Sequence, residues 1–400
     1  MTRRFTLFCG IDIGKANHTA CLIDADGNFI IRCQSFANDA AGFAVLLKRL
    51  TEASQGKPVL IGMEATGHYW YALHEHLVGH HYKVVVLNPV QTAQQAKKQI
   101  RKAKTDRVDA GHIAVLMKNG DYRPALVPGE LAMTCRQLSR LWYTLVGQRA
   151  RLKQLIHAKL DFLWPEFEAH FGDPLCVTAR VILQQAPTPQ EFLALEEEAL
   201  VALIEKSSRK QLGAELARRL RLSAQTTIGM RRGAEGAAIA VRTLLAQLDA
   251  TKPVRLHLQE QIVSLSSRLP SYVLSLPGAD EIRAVSLFGE TDPIRQLRDP
   301  EQLIAFAGLD PKVRESGQYQ APHRHISKRG SPYLRRTLWM MASLAVRREG
   351  DLRDYYLRRR QQGLHYLTVV TAVALKLCRV VWRILRDQRD YQPHPPGAHS

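Results

Sequence analysis

Short apolar runs alternate with helical stretches along the first part of the chain, and this alternation limits the folds open to it. Strands are predicted at 5–13, 20–24, 29–36, 58–65 and 83–88. Helices are predicted at 41–50, 69–77 and 105–117. Strands and helices in this order predict a sheet covered by helices, and therefore an α/β domain at the start of the chain.

The remainder of the chain has the pattern of helices. Apolar residues recur at three- and four-residue steps over 138–163 and over 244–269, which predicts two long amphipathic helices, the second antiparallel to the first. Pro253 predicts a kink or a break in the second helix. Ordinary core packing and a separate dimerising coiled coil both explain the two stripes.

The expected fold class is therefore α/β plus α. An insertion at about 165–235 is rich in Ala, Leu and Glu and carries no readable motif. Residues 275–290 predict two helices joined by a turn at Pro277-Gly278. The expected domains are an α/β domain (1–125), a helical coiled-coil linker (126–269), a mainly helical C-terminal domain (270–390) and a disordered tail (391–400).

Positive charge is concentrated near the C-terminus. The chain carries 56 Lys and Arg against 37 Asp and Glu, a formal net charge of +19. Residues 311–400 hold 18 of the basic residues and 6 of the acidic ones. This excess indicates a polyanionic partner, and nucleic acid fits better than a membrane surface. A merely solvated basic surface is the alternative.

Cysteine usage and hydropathy indicate a reducing, membrane-free setting. The six cysteines form no CxxC pair and lie far apart, so neither a disulfide nor a zinc site is expected. The most apolar late stretch, 366–385, is interrupted by Lys376, Arg379 and Arg383, and no long apolar run follows the first residues. We therefore expect a cytoplasmic protein without a membrane partner.

Four carboxylates lie where α/β domains build catalytic sites. Asp12 ends the first predicted strand between two glycines, and Glu64 ends the fourth. The glycines predict a backbone that a phosphate can approach closely. Asp106 and Asp109 stand three residues apart at a helix start and therefore share one face. If the two strands are neighbours and the helix packs across their ends, the four carboxylates converge.

Clustered carboxylates coexist mainly with divalent cations bound, because like charges at short range raise one another's pKa. Two Mg²⁺ ions about 4 Å apart activate a nucleophile and stabilise the leaving oxygen of a phosphodiester. Single residues also have explanations that involve no metal. Asp106 can cap its helix, and Asp109 can form an ion pair with Lys104 or Arg107. A basic run precedes the helix: Lys97, Lys98, Arg101, Lys102 and Lys104. The combined order indicates an RNase H-like nuclease core.

A serine in the basic C-terminal part offers a second kind of chemistry. Ser316 precedes Gly317 in a segment predicted to be irregular. Four basic residues follow it: Lys328, Arg329, Arg335 and Arg336. A Ser-Gly pair on its own is typical of a turn. An exposed serine among cations can instead attack a phosphodiester, because the cations stabilise the charge that develops on the phosphate.

Six motifs together resemble one known family. They are CGIDIGK, MEATG, KTDRVDA, LPGADEIRAVSLFGE, FAGLDPKVRESG and HISKRGSPYLRRTL. In combination and order they are similar to the DEDD-type insertion-sequence transposases related to the Piv invertase, which are bridge-RNA-guided serine recombinases. The resemblance covers about 1–165 and 240–385. Two features depart from the family: Gly278-Ala279-Asp280 replaces a Gly-x-Gly, and the insertion at about 165–235 is longer than in compact members.

The resemblance implies roles for particular residues. The N-terminal domain would be RuvC-like, with Asp12, Glu64, Asp106 and Asp109 as an acidic tetrad that binds Mg²⁺ or Mn²⁺, and Ser316 would be the nucleophile of a C-terminal transposase domain. It also implies DNA as the substrate, at the element's ends and at the target, and a structured guide RNA encoded by the element. Active sites would be assembled between protomers of a dimer or tetramer, in the nucleoid of a prokaryote.

The expected function is an RNA-guided, site-specific DNA recombinase or transposase with a composite site of metal-binding carboxylates and a serine. One alternative is a metal-dependent, junction-resolving nuclease, which needs the carboxylates but not Ser316. Another is a nucleic-acid-binding protein with a degenerate nuclease fold. The presence of all four carboxylates is against the degenerate fold, and the Ser-Gly pair with the basic C-terminal part is against simple hydrolysis.

Overall fold

The computed structural model describes residues 5–65, 67–87, 106–122, 124–125, 127–292, 297–311, 315–316, 319–320 and 325–393. The chain divides into two compact units, Met1–Val127 and Pro128–Ser400. The first is a mixed α/β unit and the second is mostly helical, as the sequence predicts. The predicted division of the second unit near residue 270 stays a prediction.

A five-stranded sheet forms the first unit. Its strands are β1 Leu7–Asp12, β2 Asn17–Asp24, β3 Phe29–Ala37, β4 Val59–Glu64 and β5 Lys83–Leu87. Their order across the sheet is β3-β2-β1-β4-β5. The first three strands pair antiparallel, whereas β1, β4 and β5 run parallel. The parallel centre brings the carboxyl ends of β1, β4 and β5 to one edge of the sheet.

Helices cover both faces of this sheet. They are α1 Ala40–Ser54, α2 Trp70–Gly79 and α3 Asp106–Asn119. Asp39 caps α1, since its side chain accepts a hydrogen bond from the backbone N–H of Gly42. Residues of α1 and α2 share one hydrophobic cluster with one face of the sheet, and residues of α3 share another with the opposite face. The predicted sheet covered by helices is therefore confirmed, with helices on both faces.

One covalent feature corrects the sequence analysis. Cys21 of β2 and Cys33 of β3 form a disulfide, with Cα atoms 4.3 Å apart. The pairing of these strands shifts register between Ala20 and Leu22, next to Cys21. The prediction that the chain contains no disulfide is therefore wrong. Spacing along the sequence did not indicate it, because the hairpin brings together two cysteines that are twelve residues apart.

Two long helices run through the second unit. In chain order this part contains α4 Glu130–Leu163, a 3-10 turn Pro165–His170, α5 Val177–Gln185, α6 Pro189–Leu193, α7 Glu197–Ser208, α8 Ala214–Thr226 and α9 Ala234–Ser266. Trp142 of α4 clusters with Ile262 near the end of α9, and Leu160 clusters with Val241 near its start. The predicted antiparallel pairing is therefore confirmed.

Helix α9 continues through Pro253. Of the predicted kink or break, the break is therefore wrong and the kink stays a prediction. Proline removes one backbone donor from the helix. Leu248 and Leu258, on either side of it, are buried in the cores that α9 shares with its neighbours. Packing along both halves of the helix therefore offsets the missing hydrogen bond.

The C-terminal part of the second unit is helical with one small hairpin. Its elements are α10 Ser271–Leu274, α11 Glu281–Thr291, α12 Pro300–Ala307, β6 Glu315–Ser316, β7 Tyr319–Gln320, α13 Pro332–Ala345, α14 Asp351–Gln361 and α15 Tyr366–Asp387. The predicted turn at Pro277-Gly278 lies between α10 and α11. Gly278 has a φ of +75°, and a Cβ there would collide with the carbonyl oxygen of Met341.

Two further predictions concern the chain's end and its hydropathy. Tyr391, the first residue of the predicted tail, is half-buried, and its backbone N–H donates a hydrogen bond to Ser275 Oγ at 2.8 Å. Residues 394–400 of that tail lie outside the described part. Among the described helices, none combines the length and the apolar character needed to cross a bilayer.

Candidate active site

Asp12 and Glu64 end two neighbouring parallel strands. Ile11 pairs with Met63, so Asp12 and Glu64 follow at the same end of β1 and β4. Neighbouring strands lie about 4.8 Å apart, and the two residues therefore leave the sheet side by side. Both are half-buried. The predicted adjacency of the first and fourth strands is confirmed.

Both carboxylates belong to the sheet face that α3 covers. Phe8 of β1 and Leu60 of β4 pack in one cluster with α3 residues such as Ile113. Side chains alternate between the two faces along a strand. Asp12 follows Phe8 by four residues and Glu64 follows Leu60 by four, so each lies on the α3 side of the sheet.

Two strand glycines allow α3 to lie directly on the sheet. A Cβ on Gly10 would collide with the carbonyl oxygen of Ala110, and one on Gly62 would lie 2.5 Å from Cγ of Met117. The space beside Gly10 is therefore filled by the helix backbone. The approach of a phosphate to Asp12 stays a prediction. A Cβ on Gly14 would collide with the carbonyl oxygen of Asn17, so the loop after Asp12 also needs a glycine at this position.

Helix α3 runs antiparallel to β1. Near the end of α3, the ammonium of Lys118 lies beside Gly27 in the turn between β2 and β3. The pairing of Leu7 with Asp24 places that turn next to the start of β1. The first turn of α3, which holds the half-buried Asp109, therefore lies toward the end of β1 that carries Asp12.

Three of the four predicted tetrad members thus lie at one edge of the sheet: Asp12, Glu64 and Asp109. Asp106 is the first residue of α3, and its side chain lies outside the described part. Among the side chains that the structure does describe, no group of three or more His, Cys, Asp and Glu is close enough to hold a metal ion. Carboxylate oxygens are nevertheless the ligands that Mg²⁺ and Mn²⁺ prefer, so this set of donors fits such a cation chemically.

A buried histidine that the sequence analysis did not single out fixes the loop after Asp12. The backbone N–H of Gly14 donates a hydrogen bond to Nδ1 of His18 at 3.3 Å. His18 is fully buried, with its ring 5.4 Å from that of Phe36. Burial lowers the pKa of His18, although a hydrogen bond with Asn38 opposes this effect. The neutral ring therefore serves as the acceptor, and its signal in the sequence was a histidine within an apolar strand.

Ser316 lies in a short hairpin rather than in the irregular segment predicted for it. Residues Glu315 and Ser316 form β6, which pairs antiparallel with β7, and Ser316 is opposite Tyr319. The side chain of Ser316 lies outside the described part.

The chain on either side of this hairpin is held together at its base. Pro311 and Ile326 form an isolated β-bridge, and the backbone N–H of Lys328 donates to the carbonyl oxygen of Gly308 at 3.0 Å. The backbone N–H of Ser331 donates to the carbonyl oxygen of Phe306 at 2.7 Å. Pro311 and Ile326, which flank the segment that contains Ser316, therefore lie next to each other.

The four predicted basic residues around this base have different surroundings. Lys328 and Arg329 are exposed. Arg336 is also exposed, and its guanidinium lies 4.6 Å from the ring centroid of Tyr143. Arg335 is half-buried and donates to the carbonyl oxygen of Ala307 at 3.0 Å, so it also has a structural role. The other predicted basic run, Lys97, Lys98, Arg101, Lys102 and Lys104, lies outside the described residues.

A buried carboxylate that the sequence analysis missed anchors helix α13. Arg140 of α4 binds Glu290 of α11 with two hydrogen bonds of 2.6 and 3.1 Å, and the Glu290 side chain is completely buried. The hydroxyl of Ser331, which caps α13, donates to the same carboxylate at 2.8 Å. Glu290 therefore joins α4, α11 and the helix that carries Arg335 and Arg336.

Two family models match the chain. One describes a transposase of the DEDD type from IS110 elements and matches residues 9–165. The other describes the transposase IS116/IS110/IS902 family and matches residues 271–357. The first match spans all four predicted tetrad positions, and the second spans Ser316. Residues between the two matches include the helical insertion.

Individual relatives come from mobile elements and from a gene-inversion system. The uncharacterized 44.8 kDa protein of insertion element IS116 from Streptomyces clavuligerus is 27% identical over 417 residues, covering 100% of this chain and 99% of the relative. The transposase for insertion sequence element IS1111A of Coxiella burnetii is 31% identical over 126 residues, which are 30% of this chain and 34% of the relative. The pilin gene-inverting protein of Moraxella lacunata is 35% identical over 104 residues, which are 26% of this chain and 31% of that protein.

Proposed function

Because the chain belongs to the IS116/IS110/IS902 family of transposases, we propose that it is an RNA-guided, site-specific DNA recombinase that moves its insertion sequence through a phosphoserine intermediate. The enzyme is a DNA transposase or recombinase, which transfers phosphodiester bonds. The observation that carries the proposal is the placement of Asp12, Glu64 and Asp109 at one sheet edge. A RuvC-like nuclease domain would need this arrangement.

The carboxylates have the role of metal ligands in this proposal. Asp12, Glu64 and Asp109, together with Asp106, would hold Mg²⁺ or Mn²⁺. A cation bound there would supply positive charge to the reacting phosphodiester and favour loss of a proton from the nucleophile. The packing of α3 on Gly10 and the hydrogen bond of His18 to the following loop keep the carboxylates in place.

Ser316 has the role of the nucleophile. Its Oγ attacks the phosphorus, the bond from phosphorus to one sugar oxygen breaks, and the serine proton ends on the released sugar hydroxyl. The strand is then held to the protein as a phosphoserine ester. A sugar hydroxyl of another strand attacks this ester and regenerates the serine hydroxyl, so that joining needs no ATP. The exposed Lys328 and Arg329 beside the hairpin base support the proposal, since cations stabilise charge on the phosphate.

The nucleic-acid partners follow from charge and from the family. The basic excess of the C-terminal part suits the element's ends and the target DNA, with Lys328, Arg329, Arg335 and Arg336 as phosphate contacts. The guide RNA is assigned to the basic run 97–104. The carboxylates and Ser316 would complete one composite site, supplied by the domains of one protomer or by two protomers of a dimer or tetramer.

Substitution of Ser316 tests the proposed nucleophile. Ser316→Ala should retain binding of RNA and DNA but lose both the covalent protein–DNA adduct and recombination, because the attacking oxygen is gone. The measurement is an adduct on nicked substrate that survives denaturant and disappears with protease. If Ser316→Ala recombines DNA, or if the wild-type protein releases free ends without an adduct, the serine mechanism is wrong. A metal-dependent nuclease without a covalent intermediate would then explain the activity better.

Asp12→Asn tests the proposed role of the carboxylates as metal ligands. It removes one charge with little change of shape, so cleavage should fall to background while the unfolding transition stays close to that of the wild-type protein. The same loss should follow removal of divalent cations with EDTA. Full cleavage in EDTA would contradict the metal role and leave the assignment of Ser316 intact.

A further inference from the structure

The helical insertion between the two matched family segments has a divided charge distribution. Residues 166–205 contain eight Asp and Glu and one basic residue, Arg180. Residues 206–232 contain eight Lys and Arg and one acidic residue, Glu215. The insertion as a whole therefore has a net charge near zero, although its second part is strongly basic. This basic part comprises the end of α7, the following turn, α8 and the chain that leads to α9.

Several acidic side chains of the insertion form hydrogen bonds or ion pairs within the protein. Glu166 accepts hydrogen bonds from Thr227 Oγ1 at 2.5 Å and from the backbone N–H of Ile228 at 3.0 Å. Glu191 caps α6 and accepts a hydrogen bond from Arg242 at 2.9 Å. Glu168 pairs with His157. These acidic groups thus have partners inside the protein.

The basic side chains face outward instead. Helix α8 buries Leu216, Leu220 and Ala224 against the insertion's core, and its opposite face carries Arg218 and Arg219. A larger set of basic residues in this segment is exposed: Lys206, Arg209, Lys210, Arg218, Arg219, Arg231 and Arg232. Within the part of the chain that the structure describes, Arg218 is the one member of this set with an ion pair, to Glu215 at 2.9 Å. The remaining charges are available to a partner.

These residues lie along α8 and in the chain at both of its ends, and together they are called the basic surface of the insertion. Arg209 and Lys210 lie in the turn that leads into α8, and Arg231 and Arg232 follow its end. A helix of 13 residues is about 20 Å long. The chain after α8 is fixed, because the backbone N–H of Met230 donates to the carbonyl oxygen of Phe162 at 2.9 Å. Positive charge therefore extends along and beyond both ends of the helix.

Three large apolar side chains interrupt this basic surface. Leu222, Ile228 and Met230 are 62%, 83% and 53% exposed. Proteins that bind nucleic acid combine cations for the phosphates with apolar side chains against sugars and bases. The combination of cations and exposed apolar side chains therefore suits a nucleic acid.

We propose that the basic surface of the insertion, formed by the seven exposed Lys and Arg residues from Lys206 to Arg232, binds the sugar-phosphate backbone of a nucleic acid. This inference rests on the proposed function in that the enzyme acts on nucleic acid. It adds a contact outside both matched family segments and gives the insertion a role. The ligand is a duplex DNA or a structured RNA, both of which present the same row of phosphates.

Neutralising three of these charges tests the proposal in the full-length protein. The variant Arg219→Gln/Arg231→Gln/Arg232→Gln removes three exposed charges without touching the insertion's core. The matched control, Lys57→Gln/Lys83→Gln/Lys252→Gln, removes three exposed lysines elsewhere. Affinity for labelled duplex DNA from an element end, and for the transcript of the DNA flanking the gene, is measured over a series of salt concentrations. The surface variant should bind more weakly, with a slope of log affinity against log salt shallower by about 2 to 3 units.

The outcomes separate the possible ligands. A loss with RNA alone assigns the surface to RNA, and a loss with DNA alone assigns it to DNA. If the surface variant and the control bind both ligands alike, the proposal is overturned, even if the surface variant has lost self-association. The Ser316-dependent adduct is measured in the wild-type protein, so failure of this proposal is distinguishable from failure of the proposed function. Equal thermal unfolding midpoints for the two variants would show that a loss of binding is not a loss of fold.

Discussion

At the scale of single residues, Glu290 depends on its hydrogen-bond partners because its side chain is completely buried. A buried charge without a partner is strongly destabilising, whereas a paired one is tolerated. Within the described part of the chain, Glu290 accepts three hydrogen bonds from side chains, and Arg140→Ala removes two of them. We expect a loss of about 3–5 kcal/mol in the free energy of unfolding. The measurement is the midpoint of urea unfolding at unchanged slope.

An exposed ion pair in the same unit provides the control. Arg379 and Glu301 are 48% and 63% exposed, and their closest approach is 3.3 Å. Arg379→Ala should cost less than about 1 kcal/mol, because solvent already screens that pair. Equal losses for the two variants would mean that burial of Glu290 does not determine the effect.

The positions of some of these carboxylates could be predicted from the sequence, and those of others could not. Asp12 and Glu64 could be recognised because each is the last residue of an apolar strand, so their shared edge depends only on strand adjacency. Glu290 could not be recognised, since its partner Arg140 is 150 residues away. A pattern that is local in sequence carries no information on such a pair.

At the scale of elements, the contact between α3 and the sheet determines where Asp109 lies relative to Asp12 and Glu64. A side chain on Gly10 would meet the backbone of α3 at Ala110, and backbone cannot move as a side chain can. Gly10→Ala should therefore cost about 1–3 kcal/mol or more and shift α3 away from Asp12. We expect DNA cleavage to fall with it. Urea unfolding and the cleavage assay on the same preparation check both effects.

Gly79→Ala is the matched control for this substitution. It lies at the end of α2, where a Cβ would have open space. Alanine is a better helix former than glycine, so this variant should be neutral or more stable by up to about 1 kcal/mol. A loss as large as that of Gly10→Ala would contradict the packing explanation.

Elements set by local sequence could be predicted, whereas features that depend on tertiary packing could not. The strands and helices of the first unit follow their predicted spans closely, because apolar periodicity and turn residues are local signals. Whether α9 breaks at Pro253 depends on its packing against α4 and the other helices of its cores, so the sequence pattern left both a kink and a break open. The disulfide between Cys21 and Cys33 depends on hairpin register in the same way.

At the scale of the whole molecule, the proposed reaction needs groups from both compact units. Asp12 belongs to Met1–Val127 and Ser316 to Pro128–Ser400. A site completed within one protomer and a site shared between two protomers both use all of these residues. The two arrangements differ in what happens when two inactive variants are mixed.

Mixing Asp12→Asn protein with Ser316→Ala protein distinguishes these arrangements. If a protomer's serine works with another protomer's carboxylates, each mixed pair holds one site with an intact serine and intact carboxylates. Random pairing in equal amounts should then restore adduct formation to about one quarter of the wild-type level in a two-fold assembly. Each variant alone should give none, and the adduct should form on the Asp12→Asn chain, which retains Ser316. A mixture as inactive as its components, in assemblies shown to exchange subunits, would place the complete site within one protomer.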